Sequence, residues 1–316
     1  MEECELLQLV GRADELGRPS CWAWRPPFAR VPPSKRALAA CGFDGSMWAP
    51  GLAHDAPNLL LLLHGLGDAP SAFASFAAKL ALPETSALAL NAPLPLPHAL
   101  PGRMWCESFE RDGSLIDGTR RGEMRRQTSL ERETRVRLAS LLRLLTSSCG
   151  WPRERIFLFG FAQGGGAALD VISHLPLADG RLGGVVSWCG LPLPELIARR
   201  EESNAQQQRQ QQRQRPAAAS TPLLVVAGGA ADAETAPSVA RELYDRLVAT
   251  WQQPSRDADA AALPPQDSQA LHLLEAHRGN RMVGSPSEAR LLMEFFARNL
   301  ALSSALEDDP SIVRVA

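Results

Sequence analysis

Ile156-Phe157-Leu158-Phe159-Gly160-Phe161-Ala162-Gln163-Gly164-Gly165-Gly166-Ala167-Ala168-Leu169 is the stretch on which the fold of this chain turns. Residues 156–159 are a short apolar run of strand type. From Gly164 onward the residues are small, as they must be where a helix start packs closely against a strand. The stretch predicts a sharp strand-to-helix turn with Ala162 at its apex. The pentapeptide Gly160-Phe161-Ala162-Gln163-Gly164 alone fits other strand–helix junctions equally well, so the flanking segments decide.

Those segments alternate. From residue 58 onward, strands are expected over 59–63, 87–90, 156–159, 185–188, 223–227 and 271–276, and helices over 71–80, 128–145, 164–174, 236–251 and 287–300. The helix from 128 carries a capping-box pair, Thr128 and Glu131, then Leu138, Leu141, Leu142 and Leu145 at helical spacing, with Gly150 after its end. Ser285-Pro286-Ser287-Glu288 introduces the closing helix. The alternation implies an α/β fold whose mainly parallel sheet is covered by helices on both faces.

Residues 1–57 read as an irregular extension, 58–300 as one α/β domain and 301–316 as a tail. Two stretches, about 201–220 with its glutamine run and 252–270, offer little apolar surface and are expected to be disordered surface insertions.

Composition narrows the function classes. The 316 residues are 45% apolar and can bury a full core. The formal net charge of -2, from 33 basic and 35 acidic side chains, gives no electrostatic reason to expect nucleic acid or a membrane surface as partner. The longest aliphatic run, residues 59–63, is far below the roughly 18 apolar residues a membrane span needs. The acidic start, Met1-Glu2-Glu3-Cys4-Glu5, does not look like a secretory signal. Six cysteines lie scattered without a C-x-x-C pair, so reduced thiols in a cytosolic protein are expected, with no metal and no cofactor.

Several motifs now stand in order: Leu61-Leu62-Leu63-His64-Gly65-Leu66-Gly67-Asp68, Asn91-Ala92-Pro93, Met104-Trp105, the run from Gly150 to Ile156, the turn Gly160-Phe161-Ala162-Gln163-Gly164-Gly165, and residues 187–192. Together they resemble the phospholipase/carboxylesterase branch of the α/β-hydrolases, which contains the acyl-protein thioesterases. The H-G-L-G-D segment and the G-F-x-Q-G-G turn are the specific parts. In a hydrolase of this type the turn is a nucleophile elbow that lifts a serine hydroxyl above the sheet. This chain has Ala162 there, and a methyl group cannot attack a carbonyl.

The resemblance implies an oxyanion hole made by the backbone N–H groups of Leu66 and Gln163, and a loop-shaping role for His64. Asp232, in Gly229-Ala230-Ala231-Asp232, falls at the triad-acid position, although an aspartate there equally reads as a helix cap. The family's G-x-x-H pattern falls on Gly279-Asn280-Arg281-Met282, which puts Met282 in the base slot. His277 is a fallback base if the loop is rerouted. Cys106 and Cys189 are the thiols to weigh as substitute nucleophiles, and Leu66, Trp105 and the Pro93–Pro97 turn are expected to line a substrate cleft.

Loss of the serine alone costs on the order of 10⁶ in turnover. The leading expectation is therefore a pseudoenzyme that binds an acyl chain or acylated protein without cleaving it. One alternative is an active carboxylesterase or thioesterase with His277 as displaced base and an unusual nucleophile; another is a structural partner in a complex.

Overall fold

The run Asn58–Leu63 shows why the sheet forms where it does. In the computed structural model, which describes residues 30–116, 120–210, 216–227, 237–251, 269–273 and 281–301, all six residues of this strand are buried. Leu59, Leu61 and Leu63 point into one apolar layer, and Leu60 and Leu62 into the other. A strand with both faces covered reads as a continuous apolar run rather than an alternating one.

The described elements follow in order. Helix α1 (Lys35–Ala40) and strand β1 (Met47–Trp48) precede β2 (Asn58–Leu63), α2 (Pro70–Leu80) and β3 (Thr85–Leu90). A short hairpin of β4 (Leu94–Pro95) and β5 (Arg103–Met104) comes next, then a helical run made of α3 (Arg120–Ser129), a π-helical segment (Leu130–Arg135) and α4 (Val136–Ser147). The second half holds β6 (Ile156–Phe161), α5 (Gln163–His174), β7 (Gly184–Trp188), α6 (Pro194–Gln210), β8 (Leu223–Ala227), α7 (Pro237–Trp251), β9 (Gln269–Leu273) and α8 (Pro286–Asn299).

Seven strands make the main sheet in the order β1-β3-β2-β6-β7-β8-β9. Among the described strands of this sheet, only the β1–β3 pair is antiparallel. Helices α4, α5 and α7 bury Leu141, Leu169 and Leu247 in the layer on one face; α2 and α8 bury Phe73 and Phe296 on the other. The chain thus has the α/β architecture expected of it. The chain order β2-α2-β3, with β6 on the other side of β2, sets the carboxyl ends of β2, β6 and β7 side by side, and the loops that leave these ends carry the site.

Three expectations change. Thr128 and Glu131 do not cap a helix, because the chain is already helical from Arg120 and passes through a π-helical turn at Leu130–Arg135. Residues 201–210 belong to α6, and Ala217, Ala218 and Ala219 are buried in the core, so the 201–220 stretch is ordered at both described ends. Within the N-terminal extension, β1 joins the sheet edge. The 252–268 and 302–316 segments lie outside the described residues.

Leu61 is fully buried in the centre of β2. Truncating such a leucine removes its transfer free energy and leaves a cavity, so Leu61→Ala is expected to lower stability by about 2–5 kcal/mol. Urea denaturation would measure this, and a loss below about 1 kcal/mol would mean that β2 is not the packed centre of the sheet.

Candidate functional site at the β6–α5 turn

Ala162 stands between β6 and α5 with φ 47° and ψ -116°, a conformation that L-residues rarely adopt. Its N–H donates to the Trp188 carbonyl at 2.9 Å, and its own carbonyl accepts from Gly165 N at 2.9 Å and Gly166 N at 3.2 Å. The turn is thereby tied to the carboxyl end of β7 and closes directly into the helix.

Glycine makes the approach possible. A Cβ on Gly164 would stand 2.4 Å from the Leu63 carbonyl oxygen and 2.5 Å from that of His64, and one on Gly190 would stand 2.4 Å from the Ala162 carbonyl oxygen. Backbone atoms cannot yield to such contacts. The first turn of α5 therefore lies directly on the backbone where β2 passes into the His64–Asp68 loop.

That loop is braced from several sides. Gly65 N–H donates to Asp68 Oδ2 at 3.2 Å, Gly67 N–H donates to the Arg103 carbonyl at 2.9 Å, and Arg103 N–H donates to the Asp68 carbonyl at 3.2 Å. The Arg103 guanidinium in turn donates to the carbonyls of Ala92 and Pro93. Among the described residues, the N–H groups of Leu66 and Gln163 have no acceptor in the protein, which leaves both donors free for a ligand oxygen. Leu66 itself is 37% exposed.

His64 is buried, and both of its ring nitrogens are in use. Nδ1–H donates to the Gly65 carbonyl at 2.7 Å, and Nε2 accepts from Ala92 N–H at 3.1 Å. Since a carbonyl can only accept and an amide N–H only donate, these partners fix the neutral tautomer. Burial pushes the imidazole pKa down further. No lone pair remains with which to take a proton, so the ring shapes the loop.

Trp105 does not line an open cleft. Its side chain is fully buried, with the indole N–H donating to the His64 carbonyl at 2.8 Å, because a large amphipathic ring in the core must satisfy its one donor. The residue that ties this region to the elbow is Gln163, through its side chain. Oε1 accepts from Trp105 N–H at 2.6 Å, and Nε2 donates to Ser108 Oγ at 2.7 Å and to Cys106 Sγ at 3.2 Å. Sequence reasoning assigned only the backbone of Gln163. Its sole signal was a polar side chain among the small residues of a helix start.

Neither thiol is an evident nucleophile. Cys106 is buried, and burial pushes its pKa up to about 12, so the thiol stays protonated at neutral pH. Cys189, at φ 55°, donates from Sγ to the Arg281 carbonyl at 3.6 Å. The same carbonyl accepts from the Trp188 indole at 3.1 Å. Met282 follows immediately, half-buried against the layer that contains Trp188 and Cys189. Asp232 and His277 lie outside the described residues. Among the described residues, no group of three His, Cys, Asp or Glu is arranged to hold a metal ion.

With this geometry in place, residues 52–209, half of the chain, match the phospholipase/carboxylesterase family. The chain belongs to that family. This phospholipase/carboxylesterase-family protein is similar to an uncharacterized hydrolase of Mycosarcoma maydis, 34% identical over 162 residues that cover 49% of this chain and 58% of that one. It is also similar to one of Schizosaccharomyces pombe, 36% identical over 139 residues, or 43% and 54% of the two chains. The match thus spans little more than half the length of these relatives. Among solved structures, esterase PE8 covers 81% of this chain and 99% of its own at 20% identity and a TM-score of 0.57. Zea mays acyl-protein thioesterase 2 covers the same shares at 17% identity and a TM-score of 0.50. At these identities the likeness is one of fold.

A residue held at positive φ costs about 1–3 kcal/mol when it is not glycine, whereas glycine costs about 0.5–1 kcal/mol through the entropy of the unfolded chain. The first effect is the larger, so Ala162→Gly is expected to raise stability by about 1 kcal/mol in a thermal or urea melt. A loss of stability would show that residue 162 does not hold the strained turn.

Proposed function

We propose that this phospholipase/carboxylesterase-family protein is a pseudoenzyme that binds an acyl chain or an acylated protein without hydrolysing it. The observation that carries the reading is the Ala162 methyl at an elbow whose backbone keeps the strained geometry and the two unbonded N–H groups of Leu66 and Gln163. Backbone donors of this kind supply much of the electrostatic stabilisation in acyl transfer, and they survive side-chain change. The attacking group does not. Met282, in the slot of the base, carries a thioether that cannot shuttle a proton, so two members of the triad lack their functional groups.

Support for an apolar ligand comes from the surroundings of the loop. Leu66 is exposed, and Leu96 and Leu94 are half-buried beyond it. Leu94 pairs with Met104 and borders a cavity of about 680 Å³ whose other walls include Met124, Arg121, Arg125, Arg132, Glu107 and Glu133. That volume lies within the range of small-ligand sites, and arginine stems cover apolar surface while their heads stay solvated.

The test has two parts. The intact protein, incubated with a fluorophosphonate probe and with an acyl thioester, is expected to show neither stoichiometric labelling nor turnover above background, yet to bind a fluorescent long-chain acyl amide saturably. Ala162→Ser with Met282→His is expected to hydrolyse the thioester at least tenfold faster than Ala162→Ser alone. Labelling or turnover by the unaltered protein would restore an enzyme reading, and absence of acyl binding would remove the ligand.

A further inference from the structure

At the far end of α5 from the elbow, about 18 Å along a helix of 12 residues, lies a second cavity of about 350 Å³. Its walls come from the π-helical segment, the last turn of α5, and α6. It is lined by Glu131 and Arg135 of the π segment, by His174, and by Arg199 and Arg200 of α6. π-Helical turns are rare and tend to occur at functional sites.

The charges do not cancel. Arg135 holds buried Asp170 bidentately, Nε to Oδ2 at 2.8 Å and Nη2 to Oδ1 at 2.6 Å, so both carboxylate oxygens are occupied. Arg199 Nη1 meets Glu131 Oε1 at 2.7 Å on the exposed rim, where such a pair is worth little. Arg200 has no carboxylate of its own among the described residues; its Nε donates to the Thr250 hydroxyl at 3.2 Å. Burial is the main cause that brings its pKa down to about 10, with Asp170 raising it and Arg135 lowering it. Three guanidinium groups thus stand against two carboxylates. The carboxyl end of a helix carries roughly half a negative charge, too little to balance the remaining cation.

Two features of the last turn of α5 keep that partial charge from acting as the partner. His174 Nδ1 bonds the Asp170 carbonyl at 2.8 Å, and Ala217 N–H donates to the Leu175 carbonyl at 2.7 Å, so these carbonyls are already used. The remaining wall is mixed: Leu175, Pro176, Leu196 and Pro216 are apolar, and Ser173, Ser203 and Asn204 are polar.

We propose that this cavity binds a small organic oxyanion, with a carboxylate or phosphate headgroup on the Arg200 guanidinium and a short aliphatic body against Leu196 and Pro176. The planar guanidinium fork suits either headgroup, and a surplus cation favours an anionic over a neutral ligand. The site is separate from the elbow and does not depend on the acyl-binding reading.

Calorimetric titration of the full-length protein with butyrate, methyl phosphate and inorganic phosphate, against chloride at equal ionic strength, tests the site. The expected result is saturable binding of butyrate or methyl phosphate, at least tenfold tighter than inorganic phosphate and at least tenfold weaker in Arg200→Gln. Preference between the two alkyl anions identifies the headgroup. In the unaltered protein, the bound anion is also expected to protect Arg200 from phenylglyoxal, read by peptide mass spectrometry; this decides the matter should Arg200→Gln fail to fold. Absence of saturable binding, affinity unchanged in Arg200→Gln, or modification of Arg200 at an undiminished rate would overturn the proposal.

Discussion

The contact between the first turn of α5 and the carboxyl end of β2 is the constraint on which the rest of the site depends. Gly164 lies so close to the Leu63 and His64 carbonyls that no side chain fits between them. A helix start this close to the sheet can be reached from β6 only through a very tight turn, which places residue 162 at positive φ. The Ala162–Trp188 hydrogen bond and the Gly190 contact fix the same turn from the β7 side. Its shape follows from backbone packing and does not require a hydroxyl at residue 162.

Under the proposed reading, this separation is what lets the architecture stay when the attacking group is replaced. The free N–H groups of Leu66 and Gln163 are positioned by main-chain bonds, by the Arg103 brace and by the glutamine clamp on residues 105–108. A serine-to-alanine difference at the apex would disturb none of these. Its consequence for rate, on the order of 10⁶ in turnover, far exceeds anything the fold would register. The strain at Ala162 is held in place by its surroundings, since a non-glycine residue at positive φ survives only where they over-determine it.

Much of the fold was legible because the strands are buried on both faces. The leucines of β2 and the aromatic run of β6 announce themselves by uninterrupted apolarity, and the capping box at Ser285 marks α8. The start of the long helical run was not legible, because Arg120–Ser129 has almost no apolar face. Ion pairs from its arginines hold it instead: Arg125 to Glu107 and Glu110, and Arg126 to Glu195. Hydrophobic periodicity is silent about such a helix, and Thr128 with Glu131 then imitates a cap. The glutamine-rich stretch misled in the same way, for composition cannot show that a polar helix continues from Leu196 and Ile197, which are anchored in the core. At the site, both ring nitrogens of His64 are bonded to loop backbone, consistent with the loop-shaping role expected of it, whereas Met104-Trp105 suggested a cleft wall. The indole of Trp105 is buried against Phe43 and His64, both distant in the chain, and no local pattern carries that information.

The most direct measurement of the central claim is the backbone conformation at residue 162 in isotopically labelled protein, from the amide-to-α-proton coupling and the carbon shifts, together with the bonding state of the neighbouring side chains. A positive φ at Ala162, with unbonded amides at Leu66 and Gln163 and no imidazole within hydrogen-bonding reach of a thiol or hydroxyl at the apex, is the predicted result. An extended or helical Ala162, or a Cys or Ser side chain paired with His277 at that point, would contradict the account.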